Sequence, residues 1–104
     1  MMLARWSIDA KFGHKPNVVN SLSHWFKDIG SQIGWHKGKY RIITGSVGAL
    51  ESQIISEITI ENLAELNNSW NKLGDIEAHA SWSKELEPHI VSGTQKWEIF
   101  RIVE

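Results

Sequence analysis

The order of periodic segments in this 104-residue chain predicts an α+β fold, βαββαβ in sequence, in which four antiparallel strands carry helices on one face. Three observations support it. Apolar and polar residues alternate at both ends of the chain, two further β-rich runs lie in the middle, and two helical stretches separate them on the split βαβ plan. At this length a single domain, residues 1–104, is expected, with enough apolar residues for one core and little to spare.

In residues 3–12, Trp6, Ile8, Ala10 and Phe12 fall on one face and Arg5, Ser7, Asp9 and Lys11 on the other, the pattern of a half-buried strand. Gly13-His14-Lys15-Pro16 breaks it. Pro16 suits the first turn of a helix, where its missing N–H is not needed. Val18, Leu22, Trp25, Phe26, Ile29 and Ile33 then share one helical face, Asn20, Ser23, His24 and Lys27 lie away from it, and the helix ends near Gly34. Trp35-His36-Lys37-Gly38-Lys39 reads as a short basic loop.

Residues 40–44 form a second strand, which Gly45-Ser46-Val47-Gly48 continues weakly, since interior glycines mark a bulge or a close approach by another backbone. Leu50-Glu51-Ser52 turns the chain. Residues 53–60 form a third strand, with Ile54, Ser56, Ile58 and Ile60 opposite Ile55, Glu57 and Thr59.

Residues 62–90 read as a helical hairpin or bent helix, expected to act as the lid of any pocket. Asn62-Leu63-Ala64-Glu65 has the form of a capping box. Leu63, Leu66, Trp70 and Leu73 make one stripe, Gly74-Asp75 is suited to closing one helix and capping another, and Ile76, Ala80, Ser83, Leu86 and Ile90 make a second stripe edged by His79 and Trp82. Pro88 ends the pattern. Residues 95–103 form the last strand, with large apolar groups on both faces, so both are expected to be covered. The helices cover one face of the sheet only; the economical cover for the other is a second copy across a two-fold axis, a homodimer through the sheet face.

Composition narrows the function. Eleven Lys and Arg against twelve Asp and Glu, without runs, supply no footprint for nucleic acid or an anionic membrane. No cysteine is present, which removes disulfides, thiolate metal sites and thiol catalysis. No export signal is visible after Met1-Met2-Leu3 and no segment reaches transmembrane length, so the cytoplasm is the default expectation. The six Trp are unusual beside one Tyr and three Phe, and such a surplus points to an interface or a pocket. Ordinary core packing is expected for about two thirds of them.

Residues 57–66, with Trp70 and Leu73 behind them, and residues 85–94, followed by Trp97-Glu98-Ile99-Phe100-Arg101, resemble the dimeric α/β-barrel superfamily. That ferredoxin-like group includes NIPSNAP-like proteins and antibiotic-biosynthesis monooxygenases, and the two passages are most similar to the NIPSNAP-like branch. The resemblance implies a small molecule held between sheet and helices, and in some relatives oxygen chemistry without metal or flavin. Other relatives bind haem with a helix His and a pocket Trp. Here the Trp70 to His79 interval is one residue shorter than that arrangement, and Ser7 and Asp9 occupy the region of its strand Asn, which counts against haem.

Among groups that could do chemistry, His79 is the candidate acid or base, because imidazole titrates near neutrality and Ile76, Ala80 and Trp82 would partly desolvate it. The bland alternative is a helix-edge His paired with a backbone carbonyl or water. Trp6, Trp70, Trp82 and Trp97 are the candidate ligand-binding residues, walling a cavity for an aromatic or polyketide-like molecule. No HxxxH or HExxH spacing occurs, and Pro88 separates Glu85 from His89, so neither a metal nor any cofactor is expected. Nucleotide binding and triad hydrolysis have no motif. Two classes stay open: an enzyme, either a cofactor-independent monooxygenase or an isomerase, and a dimeric binding module without turnover.

Overall fold

In the computed structural model, which describes residues 1–104, β1 (Met2–Asp9) runs through the middle of a four-stranded sheet. It pairs antiparallel with β3 (Gln53–Ile60) on one side and β4 (Lys96–Arg101) on the other, and β2 (Tyr40–Thr44) forms the edge beside β3. The order β2-β3-β1-β4 is the ferredoxin-like arrangement. Helices α1 (Lys15–Asp28), α2 (Leu63–Leu73) and α3 (Glu77–Leu86), with short 3₁₀ turns at Gly30–Ile33 and Glu87–His89, complete the chain. None is long and apolar enough to cross a membrane.

The core lies between the helices and the inward row of each strand. Ala4 and Ile8 of β1 and Ile54, Ile58 and Ile60 of β3 are buried beneath Val18, Leu22, Trp25 and Phe26 of α1. Phe26 stacks on Tyr40 with centroids 3.9 Å apart, tying α1 to the sheet edge. Pro16 stands in the first turn of α1 as expected, and the next 3₁₀ turn ends at Gly34, whose φ of 89° is the left-handed conformation that glycine adopts without steric cost. At Gly45 a Cβ would lie 1.7 Å from the Leu50 carbonyl oxygen, so a glycine is required by the close approach of the returning backbone.

The break in the second helical stretch falls at Gly74-Asp75. Asn62 caps α2, its Oδ1 accepting from Glu65 N at 2.9 Å, while the Glu65 carboxylate reaches back to the Glu61 N–H at 2.6 Å. The reciprocal bond therefore lands one residue upstream of a standard capping box.

Several sequence expectations are corrected. Phe12 is fully exposed, because β1 ends at Asp9 and Lys11 to Gly13 turn outward. Gly45 to Gly48 do not extend β2. Asp75 caps nothing: Ile76 occupies the N-cap of α3 without a side-chain bond. Leu63 is exposed, and on α3 the less exposed residues are His79, Trp82 and Leu86, preceded by Ile76 at the N-cap, while Ala80 is exposed and Ser83 is exposed at the rim. The larger rings win the inner positions because their nitrogens find partners there. Strand β4 stops at Arg101, short of the expected Val103, and is an edge strand with Ile99 and Phe100 exposed, as is Ile102 beyond it, so its faces are not both covered.

Candidate functional site

On the helix-facing side of the sheet, Ile42, Ser56, Trp6 and Trp97 lie side by side across β2, β3, β1 and β4. The next row places Ala4 beside Ile58. Small side chains at Ser56 and Ala4 leave the middle of the sheet low, while large rings rise around it. The result is a cavity of about 220 Å³ between sheet and helices.

All six tryptophans line it. The four expected from the sequence, Trp6, Trp70, Trp82 and Trp97, are brought together there with His79. Trp25 and Trp35, read as core and loop, belong to it too and are at once buried core and cavity wall. Trp25 is the hub, with ring centroids 5.9 Å from Trp35, 5.8 Å from Trp82 and 5.0 Å from Phe26. The series continues from Trp35 to Trp97 at 6.4 Å and from Trp97 to Trp70 at 5.3 Å. Trp70, Ser83 and Gln95 are the exposed members of the lining and mark the mouth. The lining carries no Lys, Arg, Asp or Glu.

His79 sits where α3 closes over α1. Trp25 Nε1 donates to His79 Nδ1 at 3.0 Å, and the imidazole stacks on Trp82 with centroids 5.8 Å apart and planes within 20°. An indole nitrogen can only donate, so Nδ1 must bear a lone pair, and in the neutral ring the proton is on Nε2. Trp82 Nε1 in turn donates to the Ser21 carbonyl at 3.2 Å. The sequence pointed to His79 as partly desolvated, and burial does hold its pKa below the usual 6.5.

That shift has a stability consequence. The native state favours the neutral ring, whereas the unfolded chain takes up a proton near pH 6.5. The contribution is thus complete above that value and is lost as pH falls toward the lower native pKa. Protonation also places a hydrogen on Nδ1 opposite the Trp25 N–H, which opposes the bond. The thermal midpoint is expected to fall between about pH 7.5 and pH 5.5, and less in His79→Gln, which cannot titrate there. Equal falls in both proteins would rule out His79 as the source.

Other histidines lie elsewhere. His24 and His36 are exposed, and His14 and His89 meet with Nδ1 atoms 2.9 Å apart, joining the start of α1 to the turn before β4. No group of three or more His, Asp or Glu side chains is placed to hold a metal ion. The open face of the sheet carries a second polar feature. Arg41, Glu57, Arg5 and Glu98 stand in line across the four strands, alternating in sign. Glu57 is buried, with its carboxylate 2.9 Å from Arg5 Nε and 2.5 Å from Arg41 Nε. Leu3, Ile43, Ile55 and Phe100 flank this line, and the Arg5 guanidinium lies 5.6 Å from the Phe100 centroid.

No protein-family model and no curated protein matches the chain. Solved structures do. A NIPSNAP family protein of Agrobacterium tumefaciens superposes with a TM-score of 0.79 at 14% identity, covering 99% of this chain and 93% of its own. An uncharacterized NIPSNAP domain protein of Burkholderia xenovorans gives 0.72 at 12%, covering 99% and 95%. An antibiotic-biosynthesis-monooxygenase-like protein of Nitrosomonas europaea gives 0.67 at 6%, with both chains covered in full. The chain therefore shares the ferredoxin-like fold of these proteins along its whole length.

Proposed function

We propose that this protein binds a small, flat, largely apolar molecule in the Trp-lined cavity and acts on it by proton transfer, as a cofactor-independent monooxygenase or an isomerase. The observation that carries the reading is the convergence of every tryptophan in the chain, with one desolvated imidazole, on a single cavity without charged walls. At about 220 Å³ the cavity exceeds the roughly 150 Å³ that accepts benzene and falls below the range of about 300–1,000 Å³ typical of drug-sized ligands. One- or two-ring aromatic molecules fit better than larger polyketide skeletons.

In this reading His79 takes a proton from an activated carbon of the ligand, and the carbanion either reacts with dioxygen or is reprotonated elsewhere. With Nδ1 held by Trp25, the imidazole rests as a donor through Nε2. Acting as a base requires Trp25 to release Nδ1, so that this nitrogen can take the proton. The same tautomer withholds the Nε2 lone pair from a haem iron, which keeps haem the weakest reading.

The test is a screen of one- and two-ring aromatic ketones and phenols by quenching of tryptophan emission, followed by product analysis for each binder. His79→Ala is expected to retain binding and lose about 10²–10⁴-fold in turnover. Full turnover in that variant would remove the base. The engaged Nδ1 favours a second reading, a binding module without turnover, which binding with no product from any wild-type complex would support.

The partner is proposed to be a second copy across the open sheet face. A line of charges alternating in sign, flanked by Leu3, Ile43, Ile55 and Phe100, can complement itself about a two-fold axis. Sedimentation equilibrium at about 10 μM is expected to give twice 11.9 kDa. A species of 11.9 kDa alone would overturn the dimer.

A further inference from the structure

Four of the indoles form a connected series with one end in solvent. Trp70 on α2 is the one exposed tryptophan, at 37%. Its ring meets Trp97 edge-on with centroids 5.3 Å apart, Trp97 leads to Trp35 at 6.4 Å, and Trp35 leads to Trp25 at 5.9 Å. Every step lies within the roughly 4.5–7 Å of packed aromatic pairs, near enough for an electron to pass from ring to ring. Indole is the readily oxidised side chain along this line. Cysteine is absent, and the single tyrosine, Tyr40, meets the series only through the Phe26 ring, which resists oxidation.

What sets the inner end apart is its N–H. Removing an electron from an indole leaves a radical cation, a charge that is costly to hold in apolar surroundings, and makes the N–H a stronger acid than imidazolium. Trp82 Nε1 donates to a backbone carbonyl, which takes no proton, and Trp35 Nε1 has no partner. Trp25 Nε1 alone donates to a base, His79 Nδ1, at 3.0 Å. Burial holds the imidazole pKa below 6.5, so near neutral pH the ring is uncharged and its Nδ1 lone pair is open to a proton. Passing the proton moves the charge from an indole that is 6% exposed to a ring only partly buried.

We infer that Trp70, Trp97, Trp35 and Trp25 carry a single oxidising equivalent inward from the mouth of the cavity, and that Trp25 and His79 together trap it as a neutral indole radical beside an imidazolium. The reaction partner is an outer-sphere one-electron oxidant in solvent. It gains one electron from Trp70, an electron moves outward at each step, and Trp25 is left one electron short. The Nε1 proton of Trp25 then goes to His79 Nδ1, with no bond to carbon made or broken. An enediol reductant at the mouth returns one electron by the same route and releases its own proton to solvent, while His79 hands the stored proton back to Trp25. The series is a reversible one-electron store, an activity that needs no ligand in the cavity.

The test uses photogenerated tris(bipyridine)ruthenium(III) as the oxidant, with transient absorption to separate the neutral indole radical from its cation. In wild type near neutral pH the neutral radical is expected to appear at least about tenfold faster than in His79→Gln, which offers Trp25 an acceptor but no base. Trp25→Phe should lose that fast phase. Trp97→Phe, which removes the ring between Trp70 and Trp35, should slow it severalfold. Far-ultraviolet dichroism checks the fold of each variant, and should a tryptophan variant fail to fold, His79→Gln alone decides. Equal rates in wild type and His79→Gln, or a fast phase that Trp25→Phe retains, would overturn the trap. A fast phase unchanged in Trp97→Phe would overturn the route.

Discussion

Trp25→Ala is expected to lower the free energy of unfolding by about 3–5 kcal/mol, in the range for truncating a buried aromatic. Against a total of roughly 5–15 kcal/mol for a protein of ordinary stability, that is a large fraction. Trp25 is 6% exposed, contacts Phe26, Trp35, His79 and Trp82 by ring packing, and supplies the N–H that holds His79. The ring lies between the two helices and cannot be replaced by collapse without pulling α3 down. Urea denaturation monitored by far-ultraviolet dichroism measures the effect, since emission changes with each indole removed. Trp25→Phe separates the two roles: it keeps an aromatic ring, loses the bond to His79, and should cost about 1–2 kcal/mol. A cost below about 1 kcal/mol for alanine would mean that the cavity wall does not depend on this ring.

Replacing both guanidinium partners of Glu57, with Arg5→Met and Arg41→Met together, is expected to cost about 3 kcal/mol. That value is at the low end for a buried ion pair stripped of one sign, because Arg41 is 72% exposed and water can reach the carboxylate from its side. If a second protomer covers that face, the loss rises toward about 5 kcal/mol, since no water then replaces the cations. Adding Glu57→Leu to the same background should recover most of the stability, because the removal of all three charges leaves no unpaired ion. Chemical denaturation of the double and triple variants measures both steps. Additive losses in the triple variant would show that the three side chains do not act as a unit.

Strand and helix positions were legible because each carries a strict period. The third strand falls on residues 53–60 as the alternation of Ile54, Ser56, Ile58 and Ile60 requires, and the Asn62 cap and Gly74-Asp75 break appear where their residue types allow. Periodicity failed where a segment ended. Phe12 continues the alternation of β1 but lies beyond its last pairing partner, and hydrogen bonding rather than hydrophobicity sets that boundary. On α3 a hydropathy stripe chose Ala80 and Ser83, whereas the inward face belongs to His79 and Trp82, whose nitrogens are satisfied by other elements. The site was legible in part. Four tryptophans and the imidazole stood out by type and position; Trp25 and Trp35 did not, since a residue that is both core and cavity wall gives the same apolar signal in either role. Ser56 did carry a signal, a lone hydroxyl in a row of isoleucines, and its meaning depends on the cavity above it.

Helix α3 is held to the rest of the molecule by two indole hydrogen bonds, Trp25 to His79 and Trp82 to Ser21, by the packing of His79 and Trp82 against Trp25, and by the burial of Leu86. No sheet pairing crosses that boundary. Each of these ties is a side-chain contact, so loosening α3 would leave every ladder of the sheet intact. The seal over the cavity and the weave of its floor are thus made of different bonds, and only at Trp25 do the two share a side chain.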